Sequence, residues 1–313
     1  MNSKVVILVL NWNRKEITCA CLDSLKELAY DNYEVLAIDN GSEDGSDEEI
    51  RKRHSWVNIL QNGENLGYAE GNNRGVRWAL DRGADYVFII NNDTKVNRDC
   101  VRQLVETAER NQSYGILGPV AFDYEEKMVL PSGFVINWDT TDWCPFRPVD
   151  GAVVLANNNL VYPVDIIQGD GFFARRSVFE KTGLFDRRFF FMHEESDFCC
   201  RAKKQGFEIG VVRDARFMRM VATTIGSGSA LQRYYAVRNM FLYISKNLEG
   251  AEKIRKMIWE LKRMKWAVWD YYLVNYFHTK DKRYLRDVIP TVCGCLDYFL
   301  GRFGKTAKVY ETN

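Results

Sequence analysis

Residues 4–28, KVVILVLNWNRKEITCACLDSLKEL, carry the pattern that decides the fold. The unbroken apolar run Val5–Leu10 predicts a strand that is buried on both faces, as strands of parallel sheets are. After Asn11, apolar residues recur at helical spacing. They are Ile17, Cys21, Leu22, Leu25 and Leu28. A buried strand followed by an amphipathic helix is the repeating unit of an α/β fold.

The same unit recurs along the next part of the chain. YEVLAIDNGSEDGS (33–46) predicts a strand, a turn and a helix start, and NILQNGENLGYAEGNNRGVRWALDRG (58–83) predicts a strand, a Gly/Asn-rich loop and a helix. ADYVFIINNDT (84–94) predicts a further strand. Strands that alternate with helices up to about residue 95 predict a Rossmann-like, mostly parallel sheet flanked by helices.

Polar clusters follow three of the predicted strands, at Asn11–Arg14, Asp39–Ser42 and Asn91–Thr94. Each cluster taken alone also fits ordinary turn and helix-cap chemistry. However, ligands of open α/β sheets bind beyond the carboxyl ends of the strands, where all three clusters are expected. Their coincidence at one edge favours a binding site.

The composition limits the classes of protein to consider. The chain has 313 residues, with 43 basic and 42 acidic side chains and a formal charge of +1, so the overall charge indicates no partner. The start, Met1–Lys4 followed by VVILVL, does not resemble a signal peptide, and no apolar run approaches a membrane span. We therefore expect a cytoplasmic protein whose eight cysteines are reduced and do not form a zinc site.

The order of the motifs resembles the inverting family 2 glycosyltransferases with a GT-A fold, in particular a rhamnosyl- and galactosyltransferase-like subgroup. The matching stretches are VLNWNRKEITCACLDSL (9–25), YEVLAIDNGSEDGS (33–46), ENLGYAEGNNRGVRWAL (64–80), FIINNDTKV (88–96), GDGFFARRSVFEKTGLFDRRFFFMHEESDFCCRAKKQGFEI (169–209) and YYAVRNMFLYISKN (234–247). The resemblance implies a GT-A catalytic domain at 1–235, with a nucleotide half at about 1–95 and an acceptor half at about 96–235, and a C-terminal helical region at 236–313. Within the acceptor half, residues 135–163 match the family least and are expected to shape the acceptor pocket.

The resemblance also implies an activity. A sugar would pass from a nucleotide diphosphate sugar to a hydroxyl of a glycan or lipid-linked acceptor, with inversion, in the assembly of cell-surface polysaccharide or glycolipid. The expected donor-binding residues are Asn11, Arg14, Asp39, Asn65, Gly67, Asn72, Asn92, Asp93 and Arg219. Among them, Asp39 could accept a hydrogen bond from a pyrimidine N3–H, while Asn11 and Arg14 would flank the base and ribose.

The implied cofactor is a divalent cation, Mg²⁺ or Mn²⁺. Asp93 occupies the place of the family's metal-binding Asp motif, here Asn91-Asn92-Asp93, although a turn Asp is the alternative. Arg219 occupies a position where many members have a metal-ligating His, and an arginine cannot ligate a metal. It could instead set a fixed positive charge against the diphosphate, or it could mark a donor site that has lost its function.

The sequence MHEESDFCCR (192–201) corresponds to the catalytic helix start of the family. The resemblance assigns the catalytic pair to Glu194 and Glu195, with Glu195 as the general base and an orienting or structural role as the alternative for Glu194. Asp197 and Asp170 are assigned to the acceptor and sugar, with an orienting role and a turn role as the respective alternatives. His193 is either a metal ligand or a group that orients one.

The region after about residue 232 has a different character, with tryptophans and tyrosines interleaved with lysines and arginines. Residues 251–313 contain 13 basic and 7 acidic side chains. These helices would either pack on the catalytic domain or attach the protein peripherally to the inner face of the cell membrane. No nucleic-acid partner is expected, because no recognition motif surrounds the basic residues.

Two other functions stay open on the sequence alone. One is a nucleotide-sugar-binding protein that has lost turnover, and the other is a sugar nucleotidyltransferase, which would release pyrophosphate instead of a nucleoside diphosphate.

Overall fold

A computed structural model of the protein describes residues 3–137, 142–146, 161–220 and 229–306. Residues 138–141 and 147–160 of the segment that was expected to shape the acceptor pocket lie outside the described residues. The chain divides into two compact units. The first comprises Met1–Phe185 and Phe198–Val221, and the second comprises Asp186–Asp197 and Ala222–Asn313.

The first unit has the alternating strands and helices that the sequence predicts. Its elements are β1 (Val5–Asn11), α1 (Lys15–Leu25), β2 (Tyr33–Asp39), α2 (Ser46–Arg53), β3 (Asn58–Gln61), α3 (Gly67–Asp81), β4 (Tyr86–Asn91), β5 (Thr94–Val96), α4 (Cys100–Arg110), β6 (Tyr114–Asp123), β7 (Gly133–Asn137), β8 (Asp142–Phe146), β9 (Val161–Pro163), β10 (Ile166–Ile167), β11 (Gly171–Arg175), α5 (Arg176–Thr182), α6 (Glu194–Lys204) and β12 (Glu208–Arg219). Helix α6 begins in the second unit and continues into the first.

Nine strands of the described chain form one sheet, in the order β3-β2-β1-β4-β11-β6-β12-β5, with β9 paired to β12. The first four strands in this order are parallel, and β6 and β12 also pair in parallel. Strand β11 lies between β4 and β6 and runs antiparallel to both. The mostly parallel sheet predicted from the sequence is therefore confirmed, with β11 as an antiparallel strand at its centre. Strands β10, β7 and β8 form a separate small sheet.

Strand β1 shows why the sheet is covered on both faces. Its residues alternate between two buried clusters, as a strand's side chains must. Val5, Ile7 and Val9 pack in a cluster with residues of α1, α2 and α4. Val6 and Leu8 pack in the other cluster, with residues of α3, α5 and α6. The unbroken apolar run in β1 is required because both of its faces are buried.

From the start of α6 onward, the described residues of the second unit are mainly helical, which confirms the predicted C-terminal helices. Its further elements are α7 (Ala230–Asn247), α8 (Gly250–Trp266), a π-helical segment (Ala267–Leu273), α9 (Val274–Thr279) and α10 (Lys282–Phe299). Helices α7 and α10 pack through stacked rings of Phe241 and Tyr298, and the Tyr234 hydroxyl donates to Asp297 at 2.8 Å. None of the helices in the described ranges combines the length and the apolar character needed to cross a membrane.

Candidate functional site

The carboxyl ends of β2, β1 and β4 lie side by side, and their polar residues form one buried network. Asn11 is the centre of this network, opposite Asp39 in the register of β1 and β2. Its side-chain amide donates to Asp39 at 3.3 Å, and its side-chain oxygen accepts from Asn92 at 3.2 Å and from Thr18 at 2.7 Å. Asn11 is wholly buried, and Asp39 and Asn92 are nearly so. The structure thus brings together three of the residues expected to bind the donor.

Arg14 lies in the turn between β1 and α1. Asn13 and Arg14 both adopt left-handed backbone conformations, with φ of 59° and 64°. The turn is fixed by Ser42, whose hydroxyl accepts from the Asn13 backbone N–H at 2.8 Å, and by Asp44, which accepts from the Lys15 N–H at 3.0 Å. No ion pair involves the half-buried Arg14 guanidinium among the described residues, so its charge is available to a ligand.

The loop before α3 is organised by Asn40. The Asn40 side-chain oxygen accepts from Asn62 at 3.0 Å and from the Leu66 N–H at 3.2 Å, while its amide donates to Asn65 at 3.0 Å. Its amide also lies 3.3 Å from the Gly67 carbonyl. Asn65 and Gly67, both expected at the donor site, are therefore held at the end of β2.

Gly41 makes this arrangement possible. Its φ is 79°, and a Cβ at this position would lie 2.6 Å from the Glu64 backbone. The loop before α3 therefore approaches the end of β2 more closely than a side chain at position 41 would permit.

Helix α3 is held close to the sheet by small residues. A Cβ on Gly75 would lie 2.4 Å from Ile38, and one on Gly71 would lie 2.8 Å from Leu10. These two glycines therefore serve helix–sheet packing. Asn72, between them, is wholly buried and donates to the Tyr68 carbonyl at 3.0 Å. Its side-chain oxygen has no hydrogen-bond partner among the described residues.

A cluster of three charged residues, Asp93, Asp170 and Arg219, lies where β4 and β12 end and where β5 and β11 begin. Asp93 is in the two-residue turn between β4 and β5, and its carbonyl accepts from the Met220 N–H at 3.3 Å. Arg219, the last residue of β12, is paired in the sheet with Thr94. The Arg219 guanidinium forms an ion pair with the buried Asp170 and donates to the Pro131 carbonyl at 3.2 Å.

The electrostatics of this cluster depend on Arg219. Burial raises the pKa of Asp170, Arg219 offsets part of that rise, and the nearby Asp93 carboxylate adds to it. Because Asp93 contributes to this rise, the two carboxylates lie close enough to repel each other. A buried carboxylate is tolerated here because a fixed cation faces it.

This cluster offers one protein ligand for a divalent cation. The described residues contain no group of three His, Cys, Asp or Glu side chains that could hold a metal. Asp170 is engaged by Arg219, and Asp93 is the carboxylate of this cluster that the resemblance assigns to the ion. Mg²⁺ is commonly held in this way, by one or two carboxylates together with substrate phosphates and water. The donor set is thus adequate only if a bound diphosphate completes it.

The turn that leads into α6, residues 186–193, is fixed by two buried residues of α7. Arg238 donates to the carbonyls of Arg188 at 3.0 Å and Phe189 at 2.8 Å. The Asn239 amide lies within 2.9 Å of the Phe189 carbonyl and 2.8 Å of the Met192 carbonyl. These contacts hold backbone that is intrinsically unfavourable, because three non-glycine residues in the turn have left-handed φ angles. They are Phe190 (64°), Met192 (71°) and His193 (72°).

Glu194 and Glu195 begin α6 directly after this turn. Glu194 is 2% exposed, whereas Glu195 is partly exposed. Burial, reinforced by the adjacent Glu195 carboxylate, raises the pKa of Glu194 well above its usual range. A proton is therefore favoured on Glu194.

His193 is neutral at pH 7. Burial lowers the pKa of its imidazole to about 4, even though a hydrogen bond to the Ala236 backbone partly offsets the effect. A neutral ring beside the carboxylates adds no positive charge that would favour the ionised form of Glu194.

Asp197 is wholly buried and bonded within the second unit. It accepts from Asn247 at 3.0 Å and forms an ion pair with Lys246 at 2.8 Å. Lys246 also binds Asp186 at 2.6 Å, and together with Arg188 it holds the pKa of Asp186 well below its usual range. The C-terminal end of α7 is thereby linked to the start of the turn, at Asp186, and to the first turn of α6, at Asp197.

Sequence reasoning did not assign roles to Asn40, Arg238, Asn239, Lys246 or Asn247. All five lie inside stretches that match the family, DNG (39–41) and YYAVRNMFLYISKN (234–247). The available signal was polar residues at helical spacing in an otherwise apolar helix, since Arg238, Asn239 and Asn247 are buried. Arg238 and Asn239 donate to backbone carbonyls 47 to 66 positions away, and Asn247 donates to the Asp197 side chain 50 positions away, so no local pattern reveals these partners.

Comparison with known proteins identifies the family of the chain. The family model "Glycosyl transferase family 2" matches residues 6–183. The chain is 28% identical to the low-salt glycan biosynthesis hexosyltransferase Agl10 of Haloferax volcanii, over 88% of this chain and 86% of that protein. It is 22% identical to the dTDP-rhamnosyl transferase RfbF of Shigella flexneri, over 79% of this chain and 82% of that protein. It is 27% identical to the N-acetylglucosaminyl-diphospho-decaprenol L-rhamnosyltransferase of Mycobacterium tuberculosis, over 69% and 76% respectively.

Solved structures share the fold. The mannosyltransferase PcManGT of Pyrobaculum calidifontis, in complex with GDP-Man and Mn²⁺, superimposes with a TM-score of 0.60 over 96% of this chain and 88% of that chain, at 15% identity. TarS residues 1–349 of S. aureus superimpose with a TM-score of 0.58 over 94% and 80%, also at 15% identity. The fold is thus GT-A. The family match spans more than half of the chain and contains the three polar strand ends, so the chain belongs to glycosyl transferase family 2.

Proposed function

We propose that this glycosyltransferase moves a sugar from a nucleotide diphosphate sugar to a hydroxyl of a glycan or lipid-linked acceptor, with inversion, in polysaccharide or glycolipid assembly. The observation that carries the proposal is the unequal carboxylate pair at the start of α6. Its buried member, Glu194, favours a proton, and its partly exposed member, Glu195, is the carboxylate that an acceptor hydroxyl could reach. The relatives named above, a glycan hexosyltransferase and two rhamnosyltransferases, support the substrate class.

The donor nucleotide is assigned to the network at the ends of β1 and β2. Asp39 would accept from the base, because its carboxylate lies at a strand end and is ordered by Asn11. Arg14 would face the ribose or diphosphate with its guanidinium. The remaining donor contacts are assigned to Asn65, Gly67, Asn72, Asn92 and Asp93. The unsatisfied side-chain oxygen of Asn72 supports this assignment, since a buried acceptor costs free energy unless a partner arrives.

Charge neutralisation of the diphosphate is assigned to Arg219 and Asp93. Arg219 supplies a fixed positive charge, and Asp170 holds the guanidinium in place through one carboxylate oxygen. A contact to sugar hydroxyls is assigned to the other carboxylate oxygen of Asp170. Asp93 would hold the divalent cation, which when bound supplies Lewis-acid charge to the leaving diphosphate. Because Arg219 already carries charge beside Asp93, the cation has less to neutralise here than in a site built from carboxylates and His.

The transfer step is assigned to Glu195. Its carboxylate takes the proton of the acceptor hydroxyl as the oxygen forms a bond to the anomeric carbon. The bond between that carbon and the diphosphate oxygen breaks on the opposite face, and the nucleoside diphosphate leaves with the electron pair. Glu194, held neutral, keeps a second negative charge away from the reacting hydroxyl. Asp197 is assigned to positioning, through Lys246 and Asn247, and to the acceptor side of the site.

These roles imply the following domain boundaries. Residues 1–235 would form the catalytic domain, with the nucleotide half at about 1–95, and residues 236–313 would form the helical region. The protein would act in the cytoplasm, at the inner face of the membrane when its acceptor is lipid-linked.

The test begins with binding and then removes the base. Thermal shift with UDP, dTDP, GDP and their sugars, each with Mn²⁺ or with a chelator, identifies the donor. Glu195→Gln preserves shape and removes proton acceptance, so nucleoside diphosphate release in the presence of an acceptor should fall by about 10²–10⁴-fold while donor affinity stays within about twofold. The exposed Glu249→Gln variant is the matched control.

The outcomes separate the candidate functions. Equal losses of donor affinity and turnover in Glu195→Gln would overturn the role of Glu195. Release of pyrophosphate would indicate a nucleotidyltransferase. Donor binding without turnover against a broad acceptor panel would indicate a binding protein that has lost catalysis.

A further inference from the structure

Large apolar side chains are exposed mainly in one part of the molecule. Of the eighteen that the described residues expose, thirteen lie between Ile254 and Leu300 in the second unit. In α8, Ile254 is 62% exposed and Trp266 is 60% exposed, and in the following segment Trp269 is 59% exposed. Such a concentration on a folded unit indicates a contact surface, since isolated exposed apolar residues are ordinary but contiguous ones are not.

Helix α8 is amphipathic in the opposite sense from a helix that packs on a soluble core. Its buried side carries Lys256 and Glu260, which are 5% and 4% exposed. The two ionic groups lie 3.8 Å apart, and Glu260 also pairs with Arg263 at 2.8 Å. Its exposed side carries Ile254, Ile258 and Leu261, at helical spacing. The helix thus pays the cost of burying charge and leaves its apolar stripe uncovered, which is explained if that stripe has an apolar partner.

The exposed charged side chains of α8 are all positive. Arg255, Lys262 and Lys265 are exposed beside it. Every residue of α8 is described, and none of its exposed side chains is a carboxylate. A groove of about 480 Å³ runs along this side, lined by Ala251, Ile254, Arg255, Ile258, Trp259 and Lys262. Apolar and cationic groups therefore share one face.

We propose that this face of α8, continued by Trp269 of the π-helical segment, docks on an anionic lipid bilayer. The apolar stripe would enter the boundary between headgroups and acyl chains, and Arg255, Lys262 and Lys265 would contact lipid phosphates. Tryptophan suits this boundary because its ring is apolar and its N–H is polar. A second copy of the chain is disfavoured as the occupant, because a two-fold contact would bring the same three cations of each copy together.

Vesicle co-sedimentation tests the proposal with the full chain and no nucleotide. We expect binding to phosphatidylcholine vesicles that contain about 30 mol % phosphatidylglycerol, and much weaker binding to phosphatidylcholine alone. Binding should weaken as salt is raised, because the Debye length shortens.

Two variants separate the contribution of the cations from that of the apolar side chains. Arg255→Gln/Lys262→Gln/Lys265→Gln should lower partitioning to the anionic vesicles about a hundredfold, since each cation near the surface contributes roughly a factor of five. Ile258→Gln/Trp266→Gln should lower it by at least about tenfold, through loss of apolar insertion. The matched control, Arg51→Gln/Lys52→Gln/Arg110→Gln, removes three exposed cations from the first unit and should bind as the wild type does.

Each outcome decides the matter. Equal binding of wild type and both α8 variants, or an equal loss in the control, would overturn the proposal. A lipid-independent dimer, seen by analytical ultracentrifugation and lost in Ile258→Gln/Trp266→Gln, would assign the face to a second copy instead. Tm values of the variants within a few degrees of the wild type exclude misfolding. Because no nucleotide is present, failure here leaves the transfer proposal standing, and failure of transfer leaves vesicle binding unaffected.

Discussion

Arg238 offers a quantitative test of how the catalytic turn is held. Arg238 is 1% exposed, and its guanidinium donates three hydrogen bonds to carbonyls, those of Arg188, Phe189 and Gly304, at 2.7 to 3.0 Å. Its Nε also donates to Asn239 at 2.9 Å. In Arg238→Met all four bonds disappear, while the side chain stays long and apolar.

The expected cost follows from which acceptors are left without a partner. The Arg188 carbonyl keeps the Gly304 N–H at 2.9 Å, and the Phe189 carbonyl keeps Asn239, so the Gly304 carbonyl loses most. Bonds from a charged donor contribute about 1.5–3 kcal/mol each, and the relief of burying a cation offsets part of the total. We therefore expect a loss of about 3–4 kcal/mol in the free energy of unfolding.

Urea denaturation and amide hydrogen exchange measure this prediction. The urea midpoint of the variant should fall in proportion to the loss of stability. Amide exchange of residues 187–193 should accelerate in the variant by more than that of the strands of the first unit, because the left-handed residues lose their support. Arg255→Met, an exposed change in the same unit, should shift stability by less than about 0.5 kcal/mol. A loss below about 1 kcal/mol in Arg238→Met, or unchanged exchange in the turn, would refute the idea that Arg238 holds it.

Two further predictions concern charge. The Tm of Glu194→Gln minus that of the wild type should increase as pH is raised from about 4.5 to 8, by the equivalent of at least about 1 kcal/mol. The reason is that the pKa of Glu194 is raised in the folded state, so the wild type loses stability as pH rises towards that pKa, whereas the glutamine variant does not. In Arg219→Gln, binding of the nucleoside diphosphate without metal should weaken about 10–100-fold, and Mn²⁺ should restore more of it than in the wild type, because Asp170 is freed to join Asp93. Calorimetric melts and isothermal titration measure them.

Matched controls make both results interpretable. Glu249→Gln removes an exposed carboxylate, and a pH trend equal to that of Glu194→Gln would mean that Glu194 is not the cause. Arg216→Gln removes another arginine from β12, and equal effects of the two arginine changes on nucleotide binding would contradict a specific role for Arg219.

The alternating strands and helices could be predicted because periodicity is a local property. An unbroken apolar run such as Val5–Leu10 leaves little choice but a strand covered on both faces, and parallel strands place their carboxyl ends at one edge. That is why Asn11, Asp39 and Asn92 could be expected near one another before their hydrogen bonds were known. The C-terminal helices could be predicted for the same reason.

The sequence by itself therefore determined the fold class, the edge of the sheet where polar residues gather, and the helical character of the C-terminal region. Only the tertiary structure decided that β11 enters the sheet antiparallel, that Arg219 pairs with Asp170, and that Arg238 and Asn239 hold the turn before Glu194. It also decided that α8 turns its apolar stripe outward. Each of these depends on partners 47 or more positions away, or on which side of a helix finds a neighbour, and short-range periodicity does not encode either.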